Sequence, residues 1–256
     1  MQMGITILSP YKLFFIDQSD FLFALMKDGR QIQIQKAPYF PCLSSDGQRL
    51  SGISFDGENS HIFQMPFSVD GQSPSEILSL FGYFYYPSFS KNNKKLAIIE
   101  ADLLNQRPAG ELRIYQKKIK RWYKKDSLPA KMKPVFWDMA DEAFFYINAE
   151  NQLIKVWENK RQPIAENVQL FNISHLKNEI IYLSDGQIFI YSLLKNEIVF
   201  SIPAHHVTAL CFDKTGTSFF YATSFENRHA IYEYSRISGK STLLIQSKGP
   251  VLFLGA

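Results

Sequence analysis

A chain of 256 residues, 46% hydrophobic and 20% charged, has the balance of a globular protein with a sizeable core, in one domain or two. The net charge of +4 is modest, and an aromatic share of 15%, with 22 Phe and 13 Tyr, favours the half-buried pleated surfaces of β structure. The longest clean apolar run near the N-terminus, Phe21–Met26, falls far short of a membrane span, and Lys12, Asp17 and Asp20 interrupt the first twenty residues with no basic segment before them, against a secretory signal. Two cysteines, Cys42 and Cys211, cannot build a disulfide framework, which fits a reducing compartment; the chain reads as cytoplasmic, with no transmembrane segment.

The N-terminal stretch offers short strands at residues 5–8 and 13–16 around Ser9-Pro10-Tyr11-Lys12, then Phe21–Met26, an Asp28-Gly29 hairpin turn and residues 31–35. The alternation Gln31-Ile32-Gln33-Ile34-Gln35 predicts a half-exposed edge strand. Farther along, one rule recurs: an apolar residue, a small or acidic polar residue, a turn, then an apolar strand at fixed offset. Leu43-Ser44-Ser45-Asp46-Gly47 leads to Leu50, Phe89-Ser90-Lys91-Asn92-Asn93 to Leu96, and Trp137-Asp138-Met139-Ala140-Asp141 to Phe144. Ile173-Ser174-His175-Leu176-Lys177 leads likewise to Ile180, and Phe212-Asp213-Lys214-Thr215-Gly216 to Phe219. The register matters, because a slip of one residue turns every side chain to the other face.

Residues 168–246 make the pattern plainest: eight runs rich in Ile, Val, Phe and Tyr, broken by Lys-Asn, Asp-Gly, His-His, Lys-Thr-Gly and Ser-Gly-Lys, read as four strands followed by four more. Asp-Gly pairs at Asp46-Gly47, Asp56-Gly57, Asp70-Gly71 and Asp185-Gly186 fall between runs, where a tight hairpin needs positive φ. Units begin near Met3, Tyr39, Phe84, Lys133, Val168 and Val207, roughly 40 residues apart, the period of a four-stranded propeller blade. The expectation is a single all-β domain, a β-propeller of four-stranded antiparallel blades at 3–36, 37–82, 83–131, 132–167, 168–206 and 207–248. Residues 250–256 then close the ring on the first blade; seven blades, one built from both termini, is the alternative.

Two pieces resemble a known family. Asn151-Gln152-Leu153-Ile154-Lys155-Val156-Trp157 resembles the third-strand ending of WD repeats, with Glu158 in the place of their acidic residue. Ala204-His205-His206-Val207-Thr208-Ala209-Leu210 is similar to the Gly-His opening of a WD blade, with Ala for Gly, and Ser44-Ser45-Asp46-Gly47 is equally similar to the turns of TolB-like propellers. The resemblance implies a propeller that serves as a non-catalytic platform for protein interaction. Fold analogy alone does not establish function.

Charge is the sharpest local feature. Residues 91–133 hold 13 Lys or Arg against 4 Asp or Glu. In a meander the first and third turns share one end of the sheet, so Lys91, Lys94 and Lys95 should stand beside Lys117, Lys118 and Lys120, with Arg121 continuing onto the outer strand. This basic third blade is the candidate binding surface, for an acidic protein or for phosphates; lysines also solubilise turns and protect an edge strand. At the opposite end Tyr83, Tyr85 and Tyr86 form a candidate aromatic surface, or core.

Signals for catalysis fail. Gly52-Ile53-Ser54-Phe55-Asp56 lacks the second glycine of a nucleophile elbow and runs from strand to hairpin. Asp138 and Asp141 sit in a first turn, where Asp bonds backbone more often than a cation. His205 and His206, adjacent on a strand, point to opposite faces, which disfavours joint metal ligation. Cys42 and Cys211 hold one strand position in two units and read as small buried residues. The leading expectation is a non-enzymatic scaffold for a protein partner, without cofactor or metal. Two alternatives stand: an enzyme or small-ligand binder using the central channel, and a binder of nucleic acid or anionic membrane through the basic blade.

Overall fold

The computed structural model describes residues 11–17, 21–36, 39–44, 49–66, 75–101, 109–118, 121–138, 140–158, 160–174 and 176–255. Among them there is no helix, and hence none long and apolar enough to cross a membrane. The strands form six four-stranded antiparallel sheets, the blades of one β-propeller, six as expected and not seven.

Blade one contains β1 (Tyr11–Asp17), β2 (Phe21–Met26) and β3 (Gln31–Lys36). Blade two runs β4 (Tyr39–Leu43), β5 (Arg49–Asp56), β6 (Asn59–Pro66) and β7 (Ser75–Phe81). Blade three has β8 (Phe84–Phe89), β9 (Lys95–Ala101), β10 (Ala109–Lys118) and β11 (Arg121–Lys131). Blade four has β12 (Phe136–Trp137), β13 (Ala143–Ile147), β14 (Leu153–Trp157) and β15 (Lys160–Ala165). Blade five has β16 (Val168–Ser174), β17 (Glu179–Ser184), β18 (Gln187–Ser192) and β19 (Glu197–Pro203). Blade six has β20 (Val207–Phe212), β21 (Ser218–Phe225), β22 (Arg228–Ser235) and β23 (Lys240–Ser247). The last strand, β24 (Val251–Gly255), returns to blade one and pairs with β1, so the ring is fastened by hydrogen bonds between its two chain ends. The expected strand at residues 5–8 lies outside the described residues.

The aligned positions of the repeat are cross-strand partners in every copy: Leu43 with Leu50, Phe89 with Leu96, Trp137 with Phe144, Ile173 with Ile180, and Phe212 with Phe219. Second strands such as β9, β13 and β17 are almost wholly apolar because both their faces are covered. In β17, Ile180 and Tyr182 pack toward blade four, while Ile181 and Leu183 pack toward blade six. In β9, Leu96 and Ile98 face blade two, and Ala97 and Ile99 face blade four. The outer strand β3 alternates instead, Gln31 and Gln33 exposed and Ile32 and Ile34 half-buried.

Six hydrophobic clusters follow, one at each junction between neighbouring blades. Apolar burial holds each blade to its neighbours at roughly 1.5–3 kcal/mol per large side chain. Polar bonds set the angle between them. Lys12 pairs with Glu233 at 2.7 Å, Gln64 and Asn93 exchange amide hydrogen bonds at 3.1 and 2.9 Å, and the Trp137 indole N–H donates to the Ser88 carbonyl at 2.9 Å.

Two ends of the disc result. At one, first and third turns meet: Lys117 N–H donates to the Lys94 carbonyl, Leu193 N–H to Asn178, and Arg236 N–H to Thr217. At the other, second turns bond the links between blades: Gly82 N–H to the Glu58 carbonyl, Val168 to Asn151, Ala204 to Gly186, and Ser224 to His206. Asp185 and Gly186, with φ of 49° and 73°, form the primed hairpin turn that their pairing predicts.

Candidate functional site

At the first-turn end of blade three, Lys91, Lys94, Lys117, Lys118 and Arg121 are exposed, and among the described residues none pairs with a carboxylate. Lys120 lies outside the described residues. Lys95 belongs to the framework: its ammonium bonds the Asp141 carbonyl and sits 5.5 Å from the centre of the Trp137 ring. The Asp141 carboxylate, from blade four, accepts the N–H groups of Lys91 and Asn92 at 2.7 and 3.1 Å. It thus fixes the turn that carries Lys91 and Lys94. On the other turn, Lys117 lies 5.6 Å over the ring of Trp122, which packs edge-on against Phe89. Lys124 and Lys125 extend the charge along β11, while Tyr123 is half exposed. The like charges are thus presented on two turns bonded to each other. Such an array attracts anions with an affinity that falls steeply with salt.

Tyr83, Tyr85 and Tyr86 are all half-buried at the second-turn end. They join Phe40 and Phe55 in one ring cluster, with Phe40 4.5 Å from Tyr85 and 5.2 Å from Tyr86, and Phe55 6.0 Å from Tyr83. Phe40 and Tyr86 have φ of 51° and 55°, each immediately before a proline, in strands whose registers slip at those points. Bulky side chains avoid this region. Burial, with Cys42 and Tyr85 as lesser causes, pushes the Tyr86 phenol up to about 12. Packing therefore claims much of this surface. Its exposed margin is also aromatic: Phe81 is 75% exposed and Tyr39, 6.4 Å from Phe55, about half, while half-exposed Phe225 lies at the same end in blade six.

Of the groups considered for catalysis or metal, the aspartates bond backbone and the cysteines are buried, while His205 and His206 are exposed. Asp138 accepts the Glu142 N–H at 2.8 Å, and Asp141 binds blade three, a contact between blades where a local turn bond was expected. The rings of His205 and His206 stand 6.5 Å apart, and His206 lies 4.4 Å from Phe225. Cys42 and Cys211 are buried free thiols, and burial raises both well above the usual thiol range. The described residues hold no group of three or more His, Cys, Asp or Glu side chains able to share a metal. A cleft of about 430 Å³ opens at the second-turn end between blades four and five, bordered by Lys131, Lys133, Asn151, Asn167, Gln169 and Asp185. Burial lowers the pKa of Lys133 there.

The sequence reading missed three residues at the first-turn end. Leu176, Leu194 and Ile237 are 70%, 78% and 86% exposed at turn tips of blades five and six. Their signal was an aliphatic residue inside a turn otherwise made of Lys, Asn, Ser and Gly.

No protein-family model and no curated protein matches the sequence. Solved structures do. TolB from Acinetobacter baumannii is similar over 95% of this chain, with a TM-score of 0.69 and 15% identity, and the chain spans 65% of its length. A nidogen/laminin complex matches over 95% of this chain and 97% of its own, with a TM-score of 0.65 and 9% identity. At such identities the likeness carries the architecture alone, and by architecture this chain is a six-bladed β-propeller.

Proposed function

We propose that this protein is a non-enzymatic interaction platform of the WD-like kind, whose lysine-rich end docks on a partner surface of negative charge. One observation carries the reading: Lys91, Lys94, Lys117, Lys118 and Arg121 are exposed and lack carboxylate partners among the described residues, on turns tied by the Lys117–Lys94 bond and by Asp141. The aromatic margin of the opposite end suits a protein partner, since interface cores favour rings and disfavour lysine. One fold neighbour was solved as a complex of two proteins, nidogen and laminin, and a platform role for this chain is of that type. The buried free thiols fit a cytoplasmic setting.

The test replaces Lys91, Lys94, Lys117, Lys118 and Arg121 by Glu and leaves Lys95 in place. Anisotropy of labelled polyglutamate, read at two salt concentrations, should show salt-sensitive binding by the native protein and none by the variant, with unchanged circular dichroism. Equal binding by both would remove this surface from the reading.

A further inference from the structure

We propose that the first-turn end attaches to a bilayer containing anionic lipid, with Leu176, Leu194 and Ile237 entering the headgroup boundary. The inference rests on the reading of that end as an anion-binding surface and names its partner class. Three observations converge on it.

The first is shared geometry. Each aliphatic tip stands two residues before a residue with positive φ: Asn178 at 50°, Asn196 at 59° and Gly239 at 67°. The same turn shape thus aims all three outward from the same end of the disc. The second is rigidity. Leu193 N–H bonds the Asn178 carbonyl, joining the two turns of blade five. The Arg236 guanidinium binds both carboxylate oxygens of Glu179, at 2.7 and 3.1 Å, and the Gly216 carbonyl at 2.8 Å. Gly216, at φ 67°, has no room for a Cβ, which would lie 2.5 Å from Cγ of Lys177. Blade six is thereby locked against the first turn of blade five, and the tips keep their spacing.

The third is the surrounding charge. Lys177, Lys195, Lys214 and Lys240 are exposed beside the tips, and Lys27 stands close to Lys214. The acids closest to the tips are engaged, Glu179 with Arg236, Glu197 with Lys195 at 3.9 Å, and Asp213 with the Ser218 N–H at 3.0 Å, while Glu142 and Glu158 stand exposed on the neighbouring turns of blade four. Protein interfaces favour aromatic rings and disfavour lysine, and among the described residues the exposed rings Tyr39, Phe81 and Phe225 lie at the other end, with Tyr123 alone on the lysine-bearing outer strand of blade three. Separate aliphatic tips set among lysines suit a lipid boundary, where the tips need no matching pocket and lysine stems extend to the headgroups.

Sedimentation with vesicles of phosphatidylcholine and phosphatidylserine at 70:30, against pure phosphatidylcholine, tests the proposal. The native protein should pellet with the first and not the second. Changing Leu176, Leu194 and Ile237 together to Ser should weaken vesicle binding at least tenfold while polyglutamate binding stays intact. Vesicle binding unaltered by that triple change would overturn the proposal, as would parallel loss of both ligands. Polyglutamate binding without vesicle binding would overturn it too, and would leave the lysine-rich end to an acidic protein; failure with both ligands removes both readings. Because Cys42 and Cys211 are buried, Ile237→Cys can carry an environment-sensitive dye. Its emission should shift to the blue on anionic vesicles, and an unshifted emission in the pelleted protein would exclude insertion.

Discussion

At the first-turn end the backbone is secured by polar bonds: Asp141 to two N–H groups of blade three, Gln64 to Asn93, Arg236 to Glu179. At the second-turn end of blades two and three, five rings interlock around backbone held at positive φ before Pro41 and Pro87. The surfaces differ accordingly. Lysines and aliphatic tips predominate at the first end, where Glu142, Glu158 and Glu197 are also exposed, whereas Asp56, Glu58, Glu150, Glu166, Asp185 and Glu226 stand exposed at the second. Hydrogen-bonded turns hold shape without side-chain bulk, which frees their tips for charge. Ring packing holds shape by burial, and the strain at Phe40 and Tyr86 persists because surrounding rings over-determine it.

The largest expected effect breaks that comparison by charge. Reversing Lys91, Lys94, Lys117, Lys118 and Arg121 should weaken polyanion binding at least a hundredfold, about 2.7 kcal/mol. Replacing Asp56 and Glu58 by Lys, at the other end, should leave binding at the first end unchanged. Tighter binding after the second change, in proportion to the charge it adds, would mean that only net charge matters.

Next comes Phe40. Phe40→Ala should cost about 2 kcal/mol in urea unfolding, since a half-buried ring contact is lost. Phe40→Gly should be no less stable than Phe40→Ala, because glycine accepts the positive φ without cost. A clearly more stable alanine variant would remove strain from the account. At the first end Asp141→Ala should cost about 1 kcal/mol and speed amide exchange at Lys91 and Asn92, whose N–H groups lose their acceptor. Unchanged exchange would show that the turn holds itself.

The smallest effect at neutral pH concerns Tyr86. With its folded phenol pushed up to about 12 against an ordinary value of 10, the unfolded chain loses this proton first. The contribution is therefore complete below pH 10 and disappears as pH rises from 10 toward 12. Ultraviolet titration up to about pH 11 should show as many tyrosinates in the native protein as in Tyr86→Phe; one more in the native protein, titrating near 10, would place that ring in solvent.

The architecture was legible because a repeat encodes register locally. Five aligned pairs, each seven residues apart, became five cross-strand pairs. The placement of lysines at one end followed from topology as well. Their individual fates did not. Lys95 looked equivalent to Lys94, yet register turns it toward Trp137 and Asp141 of the next blade. Asp141 looked like an ordinary turn residue, yet its partners lie about fifty positions earlier. The Leu176, Leu194 and Ile237 tips were unremarked singly, because their meaning comes from adjacency across two blades.

By itself, then, the sequence determined the repeating unit and the end to which each turn belongs, since strand period and turn chemistry act over a few residues; it favoured six blades but left seven open, and the pairing of β24 with β1 decided between them. Tertiary structure decided which lysines stay free, which tyrosines pack and which aliphatic residues share a surface. Those outcomes depend on contacts between blades, and only closure of the ring brings such distant residues together.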